Sequence, residues 1–115
     1  MSNAPVSPNV MVQVSAKPGK EKRVEELITT VADQVRQHEP WVSLYRYYRA
    51  KRVGSSSEEE GVEFIIVFRL DDMSNLQTRR DLPHHQGIAR AIREEDLLRT
   101  PLKYTELEDM GFWKR

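Results

Sequence analysis

Hydrophobic side chains alternate with polar ones in several short segments of the chain, and in others they recur at helical spacing. Between residues 20 and 38 the apolar positions are three and four residues apart, which places them on one stripe of a helix that ends before Pro40. A short helix ending at about Arg80 and a further helix from Pro83 to Glu95 follow. β-Branched and aromatic residues predict strands over residues 10–15, 41–52, 62–70 and 102–108.

The order of these elements is β-α-β-β-α-β, which predicts an α+β fold of the ferredoxin-like kind, an antiparallel sheet with helices on one face. The third strand is apolar on both faces at its centre. We expect the helices to cover Phe64, Ile66 and Phe68. A second copy of the sheet is the simplest cover for Ile65 and Val67, so the sequence predicts a homodimer closed sheet to sheet about a two-fold axis.

Length and composition restrict the class of protein. The chain has 115 residues, which suits one domain, predicted over residues 10–115 after a flexible N-terminal arm, residues 1–9. Its 18 basic and 18 acidic residues cancel, which argues against a nucleic-acid partner. The absence of cysteine excludes disulfides and thiolate metal sites. No apolar run is as long as a membrane span or a signal-peptide core, so we expect no membrane contact and a cytoplasmic location.

Three short motifs follow one another at the ends of predicted elements. Lys17-Pro18-Gly19-Lys20-Glu21 forms the turn after the first strand, and His38-Glu39-Pro40-Trp41 ends the long helix. Leu82-Pro83-His84-His85 begins the last helix. In order and spacing the motifs resemble the antibiotic biosynthesis monooxygenase-like family, and the resemblance covers roughly residues 10–108.

The resemblance implies a dimeric α/β barrel with a pocket in each subunit between the sheet and the helices. Enzymes of this family oxidise aromatic or quinol-like compounds with molecular oxygen and use neither metal nor flavin. A small hydrophobic or aromatic ligand and no cofactor are therefore expected. The chain departs from the family pattern in three places. Trp41 replaces a glycine, Val67–Leu70 lacks a tryptophan, and Gln77–Arg80 lacks a histidine.

The adjacent residues His84 and His85 are the candidate catalytic residues. Histidine can accept a proton near neutral pH, and removal of a proton from a phenol creates the electron-rich anion that reacts with oxygen. The alternative is that both only cap the first turn of a helix. A shared metal is not favoured, because neighbouring helical residues point about 100° apart and no third ligand follows at metal spacing.

The second predicted strand carries most of the candidate ligand-binding side chains. Alternation places Val42, Leu44, Arg46 and Tyr48 on one face and Ser43, Tyr45, Tyr47 and Arg49 on the other. A tyrosine hydroxyl in an apolar pocket can orient an aromatic ligand, and an arginine can hold a carboxylate or phenolate. The candidate substrate-binding residues are Trp41, Tyr45, Arg46, Tyr47 and Arg69. The alternatives are plain packing for the aromatic residues and an ion pair across the sheet, for example with Glu63, for the arginines.

Three functions remain open on these grounds. The first is a cofactor-independent monooxygenase-like enzyme that acts on an aromatic or quinol-type compound, with His84 or His85 as base. The second is a dimeric module that binds a small hydrophobic molecule without turnover. The third is a redox-neutral isomerase or cyclase that uses the same pocket and base without oxygen.

Overall fold

The computed structural model describes residues 6–51, 53–54 and 62–115, so the acidic run at residues 58–60 lies outside the described residues. Seven elements follow one another within this part of the chain. They are β1 (Val10–Ser15), α1 (Glu21–His38), β2 (Val42–Ala50), β3 (Glu63–Leu70), α2 (Asn75–Arg80), α3 (Pro83–Glu94) and β4 (Lys103–Glu106). Each predicted element is present, and the boundaries differ from the predicted ones by a few residues at most.

The four strands form one antiparallel sheet in the order β2-β3-β1-β4. The predicted α+β, ferredoxin-like fold is therefore confirmed. β1 and β3 occupy the centre of the sheet, and Val12 of β1 pairs with Ile66 of β3. β2 lies at one edge beside β3, and β4 lies at the other edge beside β1.

The hydrophobic core lies between one face of the sheet and the helices. Burial alternates along β3, where Phe64, Ile66 and Phe68 are buried, as expected for a strand with one face turned to helices. On α1 the predicted stripe is confirmed. Its buried residues are Val24, Ile28, Val31 and Val35. Ile65 and Val67 lie on the opposite face of the sheet and are half-buried.

A β-bulge near the start of β2 makes the observed alternation of that strand differ from the predicted one. Val42 pairs with the buried Leu70, whereas Leu44 pairs with Arg69 on the other face. The prediction that Val42 and Leu44 share a face is wrong, because the bulge inserts one extra residue and shifts the alternation. Simple period-two counting does not detect such an insertion.

The end of the predicted N-terminal arm is hydrogen-bonded to the sheet. The Asn9 side chain donates to the Leu70 carbonyl and accepts from the Leu70 amide, both at 2.9 Å. Arg69 donates to the carbonyl of Ser7 at 3.1 Å. The domain boundary after residue 9 stays a prediction, and residues 1–5 lie outside the described residues. None of the described helices is both long and apolar enough to cross a membrane.

Phe68→Ala tests the assigned core. We expect this substitution to lower the free energy of unfolding by about 3–5 kcal/mol, because it leaves a cavity at a fully buried position. Denaturant unfolding followed by circular dichroism measures the change. Phe112→Ala is the control, since that side chain is 58% exposed and should change stability little. Equal losses in the two variants would contradict this core.

Candidate active site

A buried carboxylate at the end of α1 organises the candidate site. Glu39 follows the last residue of α1, and its side chain has no exposure to solvent. A carboxylate is unfavourable at a helix C-terminus, where the helix dipole is negative, and unfavourable in the core unless it is paired. Glu39 must therefore be compensated by donors from other elements.

Three side chains from α2 and α3 supply those donors. Arg79 Nε donates to Glu39 Oε1 at 2.6 Å, and His84 Nε2 and His85 Nε2 each lie 2.7 Å from Oε2. We call Glu39, Arg79, His84 and His85 the carboxylate cluster. The side chain of Arg79 is 8% exposed, so this ion pair is shielded from water. The cluster joins the end of α1 to both later helices.

The carboxylate cluster keeps Glu39 ionised. Burial alone would raise the pKa of this carboxyl group. Hydrogen bonds from His85 and His84 and the positive charge of Arg79 outweigh burial and lower the pKa to about 2. Because an ionised carboxylate only accepts, each Nε2 carries the hydrogen and donates it. In the neutral imidazole the lone pair then lies on Nδ1, which is the basic atom of each ring.

The geometry of the two histidines departs from the predicted divergence. Both Nε2 atoms reach one oxygen, and the ring centroids lie 4.4 Å apart. The expectation that no third ligand accompanies them is wrong, since Glu39 brings the three potential ligand atoms within 4.8 Å of one another. However, the N–O distances of 2.7 Å are hydrogen-bond lengths. They are shorter than the roughly 3.3 Å between ligand atoms that surround a tetrahedral zinc at 2.0–2.1 Å. The arrangement described here is therefore a hydrogen-bonded cluster.

An apolar cavity between the sheet and the helices adjoins the carboxylate cluster. The space open to the centre of a water molecule is about 70 Å³, and a more polar space of about 190 Å³ shares five of its lining residues. Residues that line both spaces are Arg79, His85, Ile88, Leu102 and Tyr104. The inner walls are aliphatic and aromatic side chains of β1, β3 and α1. A ligand in this cavity would thus have His85 and Arg79 beside it.

Tyr45 is the one predicted substrate-binding residue that lines this cavity. Its ring stacks on Phe68 with the centroids 5.9 Å apart. Burial raises the pKa of the Tyr45 hydroxyl to about 12, although the charge of Arg79 opposes this in part. The hydroxyl therefore stays protonated at neutral pH and is a hydrogen-bond donor.

The other predicted substrate-binding residues lie outside the cavity lining. Tyr47 is 44% exposed and borders a different surface groove beside α1. Arg46 and Arg69 lie on the opposite face of the sheet, where Arg46 packs against the ring of Tyr48. Trp41 packs against the core, and its buried Nε1 has no hydrogen-bond partner among the described residues. The suggested ion pair with Glu63 is absent from the described part of the chain, where Glu63 accepts a hydrogen bond from Ser15.

Sequence reasoning missed Glu39 and Arg79 as site residues. Glu39 carried a detectable signal, since an acidic residue that ends an amphipathic helix opposes the helix dipole and needs a reason to be there. Arg79 carried no comparable signal. It is one of two adjacent arginines on a short helix, and only the tertiary structure separates the buried Arg79 from the exposed Arg80.

The fold is shared with solved structures. Rv0793 from Mycobacterium tuberculosis is 20% identical, with a TM-score of 0.71 over 94% of this chain and 100% of that chain. A structure named antibiotic biosynthesis monooxygenase is 16% identical, with a TM-score of 0.70 over 91% and 100%. PA3566 from Pseudomonas aeruginosa is 16% identical, with a TM-score of 0.69 over 94% and 100%. The sequence matches no protein-family model and no curated protein.

At these identities the similarity establishes the fold. The resemblance found in the sequence motifs is confirmed to that extent, because a structure named for that family superimposes on nearly the whole chain. The roles of individual residues rest on the geometry of this chain alone.

The carboxylate cluster predicts an acid-sensitive contribution to stability. The pKa of Glu39 falls from 4.5 to about 2 on folding, which corresponds to about 3 kcal/mol. Because the folded value is the lower one, this stabilisation is complete above about pH 4.5 and is lost as the pH falls toward 2. We expect Glu39→Gln to lower stability at pH 7 and to remove this part of the pH dependence, measured by denaturant unfolding from pH 7 to pH 2.

Glu95→Gln is the matched control for this measurement. Glu95 pairs with Arg23 at the surface, where water screens the interaction, so its loss should leave the acid branch of the stability profile in place. An unchanged acid branch in Glu39→Gln would show that Glu39 is not held ionised by the fold.

Proposed function

We propose that this protein is a cofactor-independent monooxygenase-like enzyme that acts on a small aromatic compound with an acidic O–H or C–H bond, such as a quinol or an anthrone. The observation that carries the proposal is that His85 lines the apolar cavity while its Nε2 is held by the ionised Glu39. The shared fold with a structure named antibiotic biosynthesis monooxygenase supports it.

His85 is the proposed base. With Nε2 donating to Glu39, the basic atom of the ring is Nδ1, and proton uptake there converts the ring to an imidazolium beside a carboxylate. In serine hydrolases a carboxylate likewise fixes the tautomer and stabilises the cation, although it accepts there from Nδ1 and leaves Nε2 as the base. His84 shares the carboxylate oxygen but is not among the cavity-lining residues, so we assign it the role of positioning Glu39.

The oxygen step needs no further reductant. Loss of a proton from the activated CH₂ group of an anthrone gives a delocalised carbanion, which transfers one electron to O₂. The carbon radical and superoxide combine into a C–O bond, and loss of water from the hydroperoxide leaves a carbonyl group. The balance is R₂CH₂ + O₂ → R₂C=O + H₂O. The protein's part is to bind the ring, take up the proton and exclude water.

Oxygen uptake with anthrone as the substrate tests the proposal. We expect uptake by the purified protein, and a rate at least about 100-fold lower in His85→Gln, which is typical for loss of a positioned base. His84→Gln should have a smaller effect. His38→Gln is the control, since His38 is an exposed histidine whose ring lies 5.9 Å from that of His84.

Deuterium exchange and binding, measured with anthrone alongside oxygen uptake, separate the open alternatives. Exchange of the acidic C–H for solvent deuterium without oxygen uptake would favour redox-neutral chemistry in this cavity. Binding of anthrone with neither exchange nor uptake would favour a module that binds without turnover. Uptake that does not change in His85→Gln would remove the proposed base.

We also propose that the working form is a homodimer joined through the open face of the sheet. Ile65 and Val67 lie on the face opposite the core and are half-buried, and no described helix packs on that side. On the same face Met11 of β1 pairs with Val67 and is half-buried, while Arg46 and Arg69 lie beside this apolar strip. An apolar strip of this kind on a sheet favours association with a second copy.

Ile65→Lys tests the dimer. A charge at the centre of the open face should convert a dimer into a monomer of native secondary structure, measured by sedimentation velocity and circular dichroism. Val53→Lys is the control, because Val53 is 99% exposed and lies outside the strands. A wild-type protein that sediments as a monomer would refute the proposal.

A further inference from the structure

Two polar groups of the cavity, the buried Arg79 and the half-buried Tyr45, have unused hydrogen-bond donors. Arg79 uses Nε for Glu39, but its four terminal N–H groups have no acceptor among the described residues. The hydroxyl of Tyr45 likewise has no hydrogen-bond partner within the described part of the chain. Both side chains line the cavity. A ligand that enters the cavity can therefore reach these donors.

The two side chains are held in place by one aromatic ring. The guanidinium of Arg79 lies 4.2 Å from the centroid of Phe68, and Tyr45 stacks on the same residue. Phe68 is itself buried at the centre of the sheet. The unused donors are therefore fixed before any ligand arrives, which lowers the entropic cost of binding.

We propose that Arg79 and Tyr45 form an oxyanion-binding site, so that the ligand of this cavity is an apolar ring compound that carries a carboxylate or an ionised phenol or enol. The terminal N–H groups of Arg79 suit the two oxygens of a planar anion, and the Tyr45 hydroxyl adds a third donor. The aliphatic inner walls receive the ring. This inference rests on the proposed function only in that both use the same cavity, and it needs no oxygen chemistry.

Isothermal titration calorimetry with three naphthalene compounds tests the site. 2-Naphthoate, 2-naphthamide and 2-naphthol share one ring system and differ in the polar group. We expect the carboxylate to bind at least tenfold more tightly than the neutral amide of nearly the same shape, because charge-assisted hydrogen bonds to Arg79 are lost with the amide. Tighter binding of naphthol than of naphthoate, with the dependence on Arg79 retained, would assign the site to an ionisable phenol.

The variants assign the preference to the two residues. Tyr45→Phe should weaken 2-naphthoate binding by several-fold and leave 2-naphthamide nearly unchanged. Arg79→Met leaves Glu39 buried without its partner and can fail to fold, so the test uses the double variant Arg79→Met with Glu39→Gln, which removes both charges together. This double variant should lose the preference for the carboxylate. Arg90→Met is the matched control, because Arg90 is an exposed arginine of α3 that lines neither space of the cavity.

The outcomes are distinguishable from those of the oxygenase proposal. Equal binding of naphthoate and naphthamide, or a preference that survives in the double variant, overturns the oxyanion site. Failure of all three compounds to bind at millimolar concentration also contradicts it. Selective binding of naphthoate by a protein that consumes no oxygen with anthrone would keep the oxyanion site and remove the oxygenase.

Discussion

A carboxylate that is buried and must be compensated determines the arrangement of this site. Glu39 lies where both the helix dipole and the low polarity of the core disfavour it, so its ionised state depends on donors from α2 and α3. Those donors are Arg79, His84 and His85. The position of α2 and of the first turn of α3 relative to the end of α1 is thus specified by one charge. Apolar packing alone would leave these helices freer to shift along one another, because hydrophobic contacts are not directional.

Phe68 connects the sheet to the carboxylate cluster, because it lies on β3 and contacts Arg79. Phe68 is buried in the core between the sheet and the helices. Its ring contacts both the guanidinium of Arg79 and the ring of Tyr45. The cation over the ring is attracted by its quadrupole, and the stacked tyrosine gains contact area without losing access to the cavity. The core residue therefore also orients the polar groups, so a central strand positions both Arg79 and Tyr45.

The fold could be predicted from the sequence because each strand and helix is indicated by residues that are close together in the chain. Alternation in β3 and the stripe on α1 each follow from the period of one element, and the order of elements then restricts the topology. The residues of the candidate site could be predicted only in part. His84 and His85 stand out as rare residues at a helix start, but the partner of both is Glu39, far away along the chain, and Arg79 has the same sequence context as the exposed Arg80. The bulge in β2 was missed for a related reason, since register belongs to a pair of strands and not to one.

Charge balance links the proposed base to the unused donors. The ionised Glu39 and Arg79 cancel, so the empty cavity adjoins a pair of no net charge. If a neutral ligand gives a proton to His85, a cation and an anion appear together, and separated charges are costly in a medium of low dielectric constant. Glu39 already lies 2.7 Å from the ring that becomes positive. The ligand that becomes negative needs hydrogen-bond donors of its own. Arg79 and Tyr45 line the cavity and have donors without an acceptor among the described residues. A base alone would have left half of the new ion pair unsupported, and the carboxylate cluster together with Tyr45 can support both halves.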